Sequence, residues 1–233
     1  MDLAVLVPSR GRPGNVERLL DACVKTCRAG TEVLWGFDSD DPHLEELCAL
    51  AGANYYIMPR MGLAPWTNHL ARQIPAHQAP RAIASLGDDH VPETDGWDER
   101  LLAALEMAGG GFAVPNDLRT PGFPEAVAIS TPIVAALGWV APTWSHHWCI
   151  DDAWNALALE AGAYLYLPDV VVAHHHPENK VPGYRAESDA TYGEAAWSWE
   201  RDRRAFIKWK TLIEADGWTG LQRDAATVYG ALG

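Results

Sequence analysis

A regular alternation of short apolar runs with amphipathic segments over residues 3–86 is the feature that most constrains the fold. Four apolar runs have the length and composition of buried strands: 3–8, 33–37, 55–58 and 82–86. Between them, apolar residues recur at helical spacing and predict three helices: 15–28, 44–51 and 65–77. Strands that alternate with helices indicate βαβ units, so we expect an α/β fold with a mainly parallel sheet flanked by helices.

Residues after 90 follow a less regular pattern. Helices are predicted over 97–107, 131–137 and 152–161, and strands over 113–114, 126–129 and 164–173. From residue 177 the content of glycine, proline and charge increases, and a tryptophan-rich helical pattern covers 187–215. We therefore expect one domain over 1–176, with halves at about 1–90 and 91–176, and a helical C-terminal extension over 177–233 packed on it.

Candidate capping residues mark the ends of the first two helices. Asn15 is a candidate N-cap for the first helix and Asp41 for the second, because both side chains accept hydrogen bonds from free backbone N–H groups. Gly52 is a candidate C-cap for the second helix.

Composition excludes several classes of protein. The 233 residues carry a net charge of −13, which argues against general binding of nucleic acid or of an anionic membrane surface. No apolar run approaches the roughly 20 residues that a membrane span requires. The four cysteines form no CxxC pair, which is typical of reduced thiols in a cytoplasmic protein. A small anionic ligand would need local neutralisation of this charge.

Polar clusters follow each of the first four predicted strands. These clusters are Ser9-Arg10-Gly11-Arg12, Asp38-Ser39-Asp40-Asp41, Arg60-Met61-Gly62 and Asp88-Asp89-His90. The carboxyl ends of parallel strands meet at one edge of a sheet, where ligands bind in open α/β folds. We therefore expect the four clusters to lie together.

The residue types in two of these clusters point to phosphate and metal chemistry. Arg10 and Arg12 lie in a glycine-containing turn between a strand and a helix, which favours phosphate, although the turn is neither a Walker A loop nor GxGxxG. The oxygen ligands of Asp88 and Asp89 suit Mg²⁺ or Mn²⁺. An ordinary surface loop and a solvated turn are the alternatives. Asp38, the first polar residue after its strand, could accept hydrogen bonds from a nucleobase or ribose.

Two further clusters occur in the second half of the chain. Asp151 and Asp152 precede a predicted helix, where they could supply a general base or could simply complement the helix dipole. His174 and His176 end a long apolar strand, and strand alternation would place both on one face as a metal-ligand pair.

The order of these clusters resembles that of GT-A-type glycosyltransferases, closest to their large family 2 of inverting enzymes. The resemblance covers residues 3–176 and rests on five stretches: Val5-Leu6-Val7-Pro8-Ser9-Arg10, Asp38, Arg60 to Asn68, Leu86-Gly87-Asp88-Asp89 and Asp151-Asp152. In that order they are similar to the family's nucleotide loop, base-reading aspartate, glycine-containing third loop, DxD motif and ED pair. The histidines resemble the late metal ligand of several GT-A enzymes.

The chain departs from the family pattern at two positions. Gly87 replaces the first DxD aspartate if Asp89 is the metal-binding end, whereas a DxH variant would make His90 a ligand. Asp151 stands where the ED pair has glutamate. These departures leave open the choice among Asp88, Asp89, His90, His174 and His176 as ligands, and whether configuration is inverted or retained.

The resemblance implies a Rossmann-like GT-A catalytic domain over 1–176, with a nucleotide-binding half and an acceptor-binding half. It implies metal-dependent transfer of a sugar from a UDP-, GDP- or TDP-sugar to the hydroxyl of an unidentified glycan, protein or small-molecule acceptor. The implied nucleotide-binding residues are Pro8, Ser9, Arg10, Arg12, Asp38, Arg60, Gly62 and Asp88. Asp89, His174 and His176 would hold Mn²⁺ or Mg²⁺, and Asp152 or Asp151 would be the catalytic base of an inverting reaction.

Three other functions fit parts of the pattern. A nucleotidyltransferase that forms sugar nucleotides shares the α/β layout, but none of the four lysines lies in the candidate phosphate loop. A non-catalytic nucleotide-sugar binder would bind the donor without turning it over. A metallohydrolase could use the histidine and aspartate clusters and would cleave phosphoesters without a sugar donor.

Overall fold

The computed structural model describes residues 1–189, 193 and 195–233. Eight strands occur in these residues: β1 Leu3–Ser9, β2 Thr31–Asp38, β3 Tyr55–Met58, β4 Ala82–Ser85, β5 His90–Pro92, β6 Phe112–Asn116, β7 Val127–Ser130 and β8 Tyr164–His174. The α-helices described there are α1 Pro13–Thr26, α2 Leu44–Ala51, α3 Leu63–Gln73, α4 Trp97–Met107, α5 Thr131–Leu137, α6 Ile150–Glu160, α7 Trp199–Thr211 and α8 Gly220–Leu232. None of these helices combines the length and apolar character needed to cross a membrane.

The eight described strands form one mixed sheet in the order β3-β2-β1-β4-β7-β6-β8-β5. The pairs among β3, β2, β1 and β4 are all parallel, as the alternation of strands and helices predicts. The strand β7 then runs antiparallel to both β4 and β6, whereas β6 and β8 are parallel. The short β5 lies antiparallel to the end of β8. The carboxyl ends of the four parallel strands therefore share one edge.

Helices cover both faces of β1, which explains why this strand is apolar without interruption. Ala4 and Leu6 face a core formed with α3, α5 and α6. Leu3, Val5 and Val7 face the opposite core, formed with α1, α2 and α4. Successive strand side chains point to opposite faces, so a strand buried on both sides must be apolar at every position.

Two of the three capping predictions are wrong. Helix α1 begins at Pro13 with Arg12 at the N-cap, since proline suits the first turn of a helix, and Asn15 lies inside the helix. Helix α2 has His43 at its N-cap. The Asp41 carboxylate instead accepts hydrogen bonds from the Gly11 and His43 backbone N–H groups at 2.7 and 2.8 Å. Gly52 is confirmed as the C-cap of α2, with φ of 69°.

The C-terminal helices share a core with the rest of the chain, since Trp209, Leu221 and Val228 pack with α3, α5 and α6. Within the predicted helical stretch 187–215 the structure has α7, and residues 190–192 and 194 lie outside the described residues. The helix α8 lies within the helical extension expected over 177–233, but beyond the pattern that predicts helix over 187–215. It begins with a capping box in which the Thr219 side chain accepts the Gln222 N–H at 3.2 Å and Gln222 accepts the Thr219 N–H at 3.0 Å.

Candidate functional site

The loops after β1 and β4 meet at the carboxyl edge of the sheet. Ser9 Oγ donates a hydrogen bond of 2.6 Å to Asp88 Oδ2, and Arg12 and Asn15 donate to Asp88 Oδ1 at 3.1 and 3.3 Å. Asp88 is buried. Burial raises the pKa of Asp88 above its usual range, although Arg12 acts in the opposite direction. The predicted phosphate loop and the DxD-like motif therefore form one hydrogen-bonded unit.

Asp38 at the end of β2 is a second buried carboxylate of this edge. Its Oδ1 accepts hydrogen bonds from Trp66 Nε1 at 2.7 Å and from the Met61 N–H at 3.4 Å. Its Oδ2 accepts from Arg10 at 3.3 Å, and Arg10 also donates to Asp40 at 2.7 Å. Asp38 thus connects the phosphate loop with the loop before α3, which is the third of the four predicted clusters.

Arg12 connects the phosphate loop to the C-terminal part of the chain. Its Nε and Nη2 atoms make a two-point ion pair with Asp189 at 2.7 and 2.9 Å. Its Nη1 atom lies 3.9 Å from Asp89 Oδ2. This guanidinium therefore touches carboxylates from both the DxD-like motif and residue 189.

Asp89, His90 and His174 bring potential ligand atoms within 4.8 Å of one another. Asp89 Oδ1 lies 3.4 Å from His174 Nε2 and 3.5 Å from His90 Nδ1, and the two imidazole rings stack at 4.1 Å. His90 is opposite His174 in the register of β5 and β8, which explains why they meet. The sequence prediction did not include β5.

The electrostatics of this cluster favour an ionised Asp89 and a protonated His174 beside a neutral His90 ring. Burial alone would raise the pKa of Asp89, but hydrogen bonds with His174 and His90 hold it well below its usual range. Burial opposes protonation of His174, but hydrogen bonds with Asp89 and Glu125 raise its pKa to about 9. Burial and the charge of His174 lower the pKa of His90.

The donor chemistry of the cluster fits a divalent cation. A carboxylate and two imidazoles suit Mn²⁺, while the carboxylates alone also suit Mg²⁺. His90 Nε2 is buried and has no hydrogen-bond partner among the described residues. His90 Nδ1, the ring nitrogen that faces Asp89, accepts the Gly87 N–H at 3.1 Å, so the proton of the neutral ring lies on Nε2.

His176 lies beyond the end of β8, so strand alternation does not extend to it. Its ring meets the His174 ring edge-on at 5.1 Å, and its Nδ1 accepts the Glu178 N–H at 3.1 Å. Burial lowers the pKa of His176 to about 4. Its role as a metal ligand stays a prediction.

Sequence reasoning missed a buried acidic group behind His174. Glu125 Oε2 lies 2.5 Å from His174 Nδ1, and Arg119 forms an ion pair with the same carboxylate. Asp117 is also buried, and burial together with the charge of Glu125 raises its pKa to about 6. Asp117, Arg119 and Glu125 all lie in the loop between β6 and β7, and no motif marks them in the sequence.

Asp151 and Asp152 occupy the first turn of α6, which begins at Ile150, two residues before the start predicted from the sequence. Asp151 Oδ1 accepts the Asp152 N–H at 2.9 Å. Burial and the charge of Asp152 raise the pKa of Asp151 to about 6. A carboxylate with a raised pKa is a better proton acceptor, so the chemistry of this turn suits a general base.

The loop before α6 contacts both α7 and the start of α3. The buried Asp202 of α7 accepts the His147 and Trp148 N–H groups at 2.8 and 3.1 Å. The His146 carbonyl accepts the Ala64 N–H at 3.1 Å, and a Cβ atom at Gly62 would lie 2.2 Å from that carbonyl oxygen. The missing side chain of Gly62 therefore allows this loop to approach the start of α3.

Arg60 and Pro8 lie at the margins of the site. Arg60 follows β3 and is exposed, and Pro8 is half-buried opposite Gly36 in the pairing of β1 and β2. The nucleotide-binding roles of Arg60, Gly62 and Pro8 stay predictions.

Comparisons with known proteins identify solved structures of similar fold. No protein-family model and no curated protein matches the sequence. Similar solved structures include the mannosyltransferase PcManGT from Pyrobaculum calidifontis in complex with GDP-Man and Mn²⁺, with a TM-score of 0.63 and 15% identity over 99% of this chain and 72% of that chain. S. aureus TarS 1-349 in complex with UDP-GlcNAc matches with a TM-score of 0.55 and 12% identity over 98% of this chain and 82% of that chain. With the sheet order and the helices on both faces, these similarities show that the chain has the fold of GT-A-type glycosyltransferases.

Proposed function

We propose that the chain is a metal-dependent glycosyltransferase that moves a sugar from a nucleotide-sugar donor to an acceptor hydroxyl. The observation that carries the proposal is the approach of Asp89 to His174, 3.4 Å apart and buried, with Arg12 beside them at the carboxyl edge of parallel strands. Solved structures of similar fold are described as complexes with GDP-Man and Mn²⁺ and with UDP-GlcNAc. These descriptions support a nucleotide-sugar donor.

The carboxylates at the ends of β2 and β4 are proposed to hold the nucleoside. A carboxylate offers about four acceptor positions. Within the described part of the chain Asp38 uses three of them, for Trp66, Met61 and Arg10, which leaves one for a base N–H or a ribose hydroxyl. Asp88 would bind ribose from the adjacent loop, with Ser9 fixing its orientation at 2.6 Å.

Arg10 and Arg12 are proposed to bind the donor diphosphate. Guanidinium groups bind phosphate oxygens through paired hydrogen bonds. Both side chains are paired with carboxylates, Arg10 with Asp40 and Arg12 with Asp189. A diphosphate would take over these contacts, because its charge is higher than that of one carboxylate.

Asp89 and His174 are proposed to hold Mn²⁺ or Mg²⁺, with His90 and His176 as further candidate ligands. The imidazoles favour Mn²⁺ over Mg²⁺. When bound, the cation would offset the charge that develops on the departing diphosphate. Asp88 and Asp89 would otherwise repel an anionic donor, so we propose that the nucleotide binds poorly without metal.

Asp152, or Asp151, is proposed as the base. The carboxylate would take the proton of the acceptor hydroxyl while the acceptor oxygen bonds to the anomeric carbon. The bond from that carbon to the diphosphate breaks, and its electron pair leaves with the diphosphate. An in-line displacement of this kind inverts the anomeric configuration.

Two further properties are proposed from the sequence. The catalytic domain is assigned to residues 1–176, with the C-terminal helices as an extension. The described cysteines are all free, which supports a reducing compartment, and we propose the cytoplasm.

A thermal-shift screen of UDP-, GDP- and TDP-sugars, with and without Mn²⁺, tests the proposed function. Saturation at 100 times Kd stabilises a protein by about 2.7 kcal/mol, so one donor should raise Tm clearly and only with Mn²⁺. Asp89→Ala should lose this response, and Asp21→Ala, in the exposed Asp21 of α1, is the matched control. Stabilisation by no donor, or an equal response in Asp89→Ala, would contradict the proposal.

A further inference from the structure

A line of alternating charges runs from the surface to the candidate metal site. Glu178 pairs with Arg119 at 2.8 Å, and Arg119 pairs with Glu125. Glu125 Oε2 lies 2.5 Å from His174 Nδ1, and His174 Nε2 lies 3.4 Å from Asp89 Oδ1. Each group in this line contacts the next one.

The contact with Glu125 determines which nitrogen of His174 carries a proton. A carboxylate paired with an arginine is ionised and can only accept hydrogen bonds. His174 Nδ1 must therefore donate to Glu125 at 2.5 Å. The nitrogen left to face Asp89 is Nε2, which is the one that can act as a ligand once it is deprotonated.

Glu125 is itself held in place. Thr120 Oγ1 donates to Glu125 Oε1 at 3.1 Å, and Arg119 contacts the same oxygen. Only 8% of the Glu125 side chain and 10% of the His174 side chain are exposed, so solvent does not compete strongly for these contacts. Thr120 and Arg119 hold one oxygen of Glu125, and the other oxygen accepts the His174 N–H. The Glu125 carboxylate therefore has a single orientation.

We propose that Glu125, held by Arg119, is a positioning residue that fixes the ring orientation and the tautomer of His174 for the divalent cation. The inference rests on the proposed function, because it needs His174 to be a metal ligand. Carboxylates that accept the second N–H of a ligating histidine typically contribute 10- to 100-fold to metal affinity. This role goes beyond the residues that the sequence resemblance assigns.

The first test is a titration of the full chain with Mn²⁺ alone, in which electron paramagnetic resonance reports free Mn²⁺. We expect Glu125→Ala to weaken Mn²⁺ binding by roughly 10- to 100-fold. Glu125→Gln should lose less, because its amide oxygen can still accept the Nδ1 proton. The matched control is Glu178→Gln, since Glu178 pairs with the same arginine but is 75% exposed, and its affinity should match the wild type.

The outcomes of the titration separate this inference from the proposed function. Normal Mn²⁺ affinity in Glu125→Ala overturns the positioning role and leaves the metal site intact. A wild type that binds no Mn²⁺ contradicts both proposals. Circular dichroism of each variant shows whether a lost affinity reflects lost folding.

A second measurement uses the wild type and does not depend on folding of the Glu125 variants. Nitrogen-15 NMR of labelled histidine rings, in the presence of Mg²⁺ and assigned with His174→Gln, reports the tautomer of His174. We expect the proton on Nδ1. A proton on Nε2 alone would overturn the inference even if the affinities follow the expected order.

Discussion

The imidazole rings of His90 and His174 stack at 4.1 Å because β5 and β8 place the two residues opposite each other. Both rings are buried, and the charge of one lowers the pKa of the other. His174 has two carboxylate partners, Asp89 and Glu125, so the positive charge stays on His174. The pair therefore offers one charged and one neutral imidazole beside a single aspartate.

Removal of the divalent cation should weaken donor binding. Asp88 and Asp89 place two buried carboxylates beside the proposed donor site, and Arg12 and His174 offset their charge only in part. We expect Kd to rise at least tenfold in EDTA, which corresponds to about 1.4 kcal/mol. Isothermal titration with the donor found in the screen measures this effect, and equal affinity with and without metal would contradict it.

Asp152→Asn should spare donor binding and abolish turnover. The amide keeps the shape of the side chain but cannot take a proton, and loss of a general base typically costs 10²- to 10⁴-fold. Donor hydrolysis, with water as the acceptor, measures turnover, and the thermal shift measures binding. Asp151→Asn in the same assay tells which aspartate is the base. Wild-type turnover in both variants would exclude the assignment.

Asp151→Asn should also stabilise the fold near neutral pH. Burial and Asp152 raise the pKa of Asp151 to about 6 in the folded chain. The folded state therefore holds this proton more tightly than the unfolded state, and it loses stability as pH rises from about 4 through 6. The loss is at most about 3 kcal/mol. Urea unfolding should show a gain for the variant that grows from pH 4.5 to 6.5 and then levels off. A constant difference across this range would be inconsistent with the titration of Asp151.

Asp98→Ala should destabilise the chain strongly. The buried Asp98 at the start of α4 accepts hydrogen bonds from the backbone N–H groups of Arg28, Ala29 and Glu99 and from Thr31 Oγ1 at 2.6 to 3.1 Å. Loss of the Asp98 carboxylate removes the acceptor of four part-buried donors, each hydrogen bond to a charged group contributing about 1.5–3 kcal/mol or less. Urea unfolding should give a loss of several kcal/mol. The control is Asp95→Ala, since Asp95 is 70% exposed and pairs with Arg28; a loss of similar size there would refute the explanation.

The first half of the fold could be predicted closely because its signals are local. The apolar run predicts a strand over 3–8, and β1 covers it and adds only Ser9. The parallel topology then brings Arg10 to Asp38 and Ser9 to Asp88, as expected from strands that end at one edge. The local hydrophobic pattern and the sheet topology together were sufficient to predict these contacts.

The surroundings of His174 could not be predicted, because its partners come from distant and irregular segments. Glu125 is 49 residues away in a loop, and β5 has only three residues. Asp202 is likewise buried, and its hydrogen bonds with the backbone of residues 147 and 148 follow from no periodic pattern in the sequence. Pairings of this kind depend on tertiary packing, which a single sequence does not encode locally.

The ion pair between Arg12 and Asp189 spans 177 positions in the chain. A ribosome releases the phosphate loop well before residue 189. The contacts of Arg10 with β2 can form as soon as the first βαβ unit has emerged. The two-point ion pair of Arg12 can form only after residue 189 has emerged. The nascent first half therefore folds without this ion pair and relies on its own apolar core.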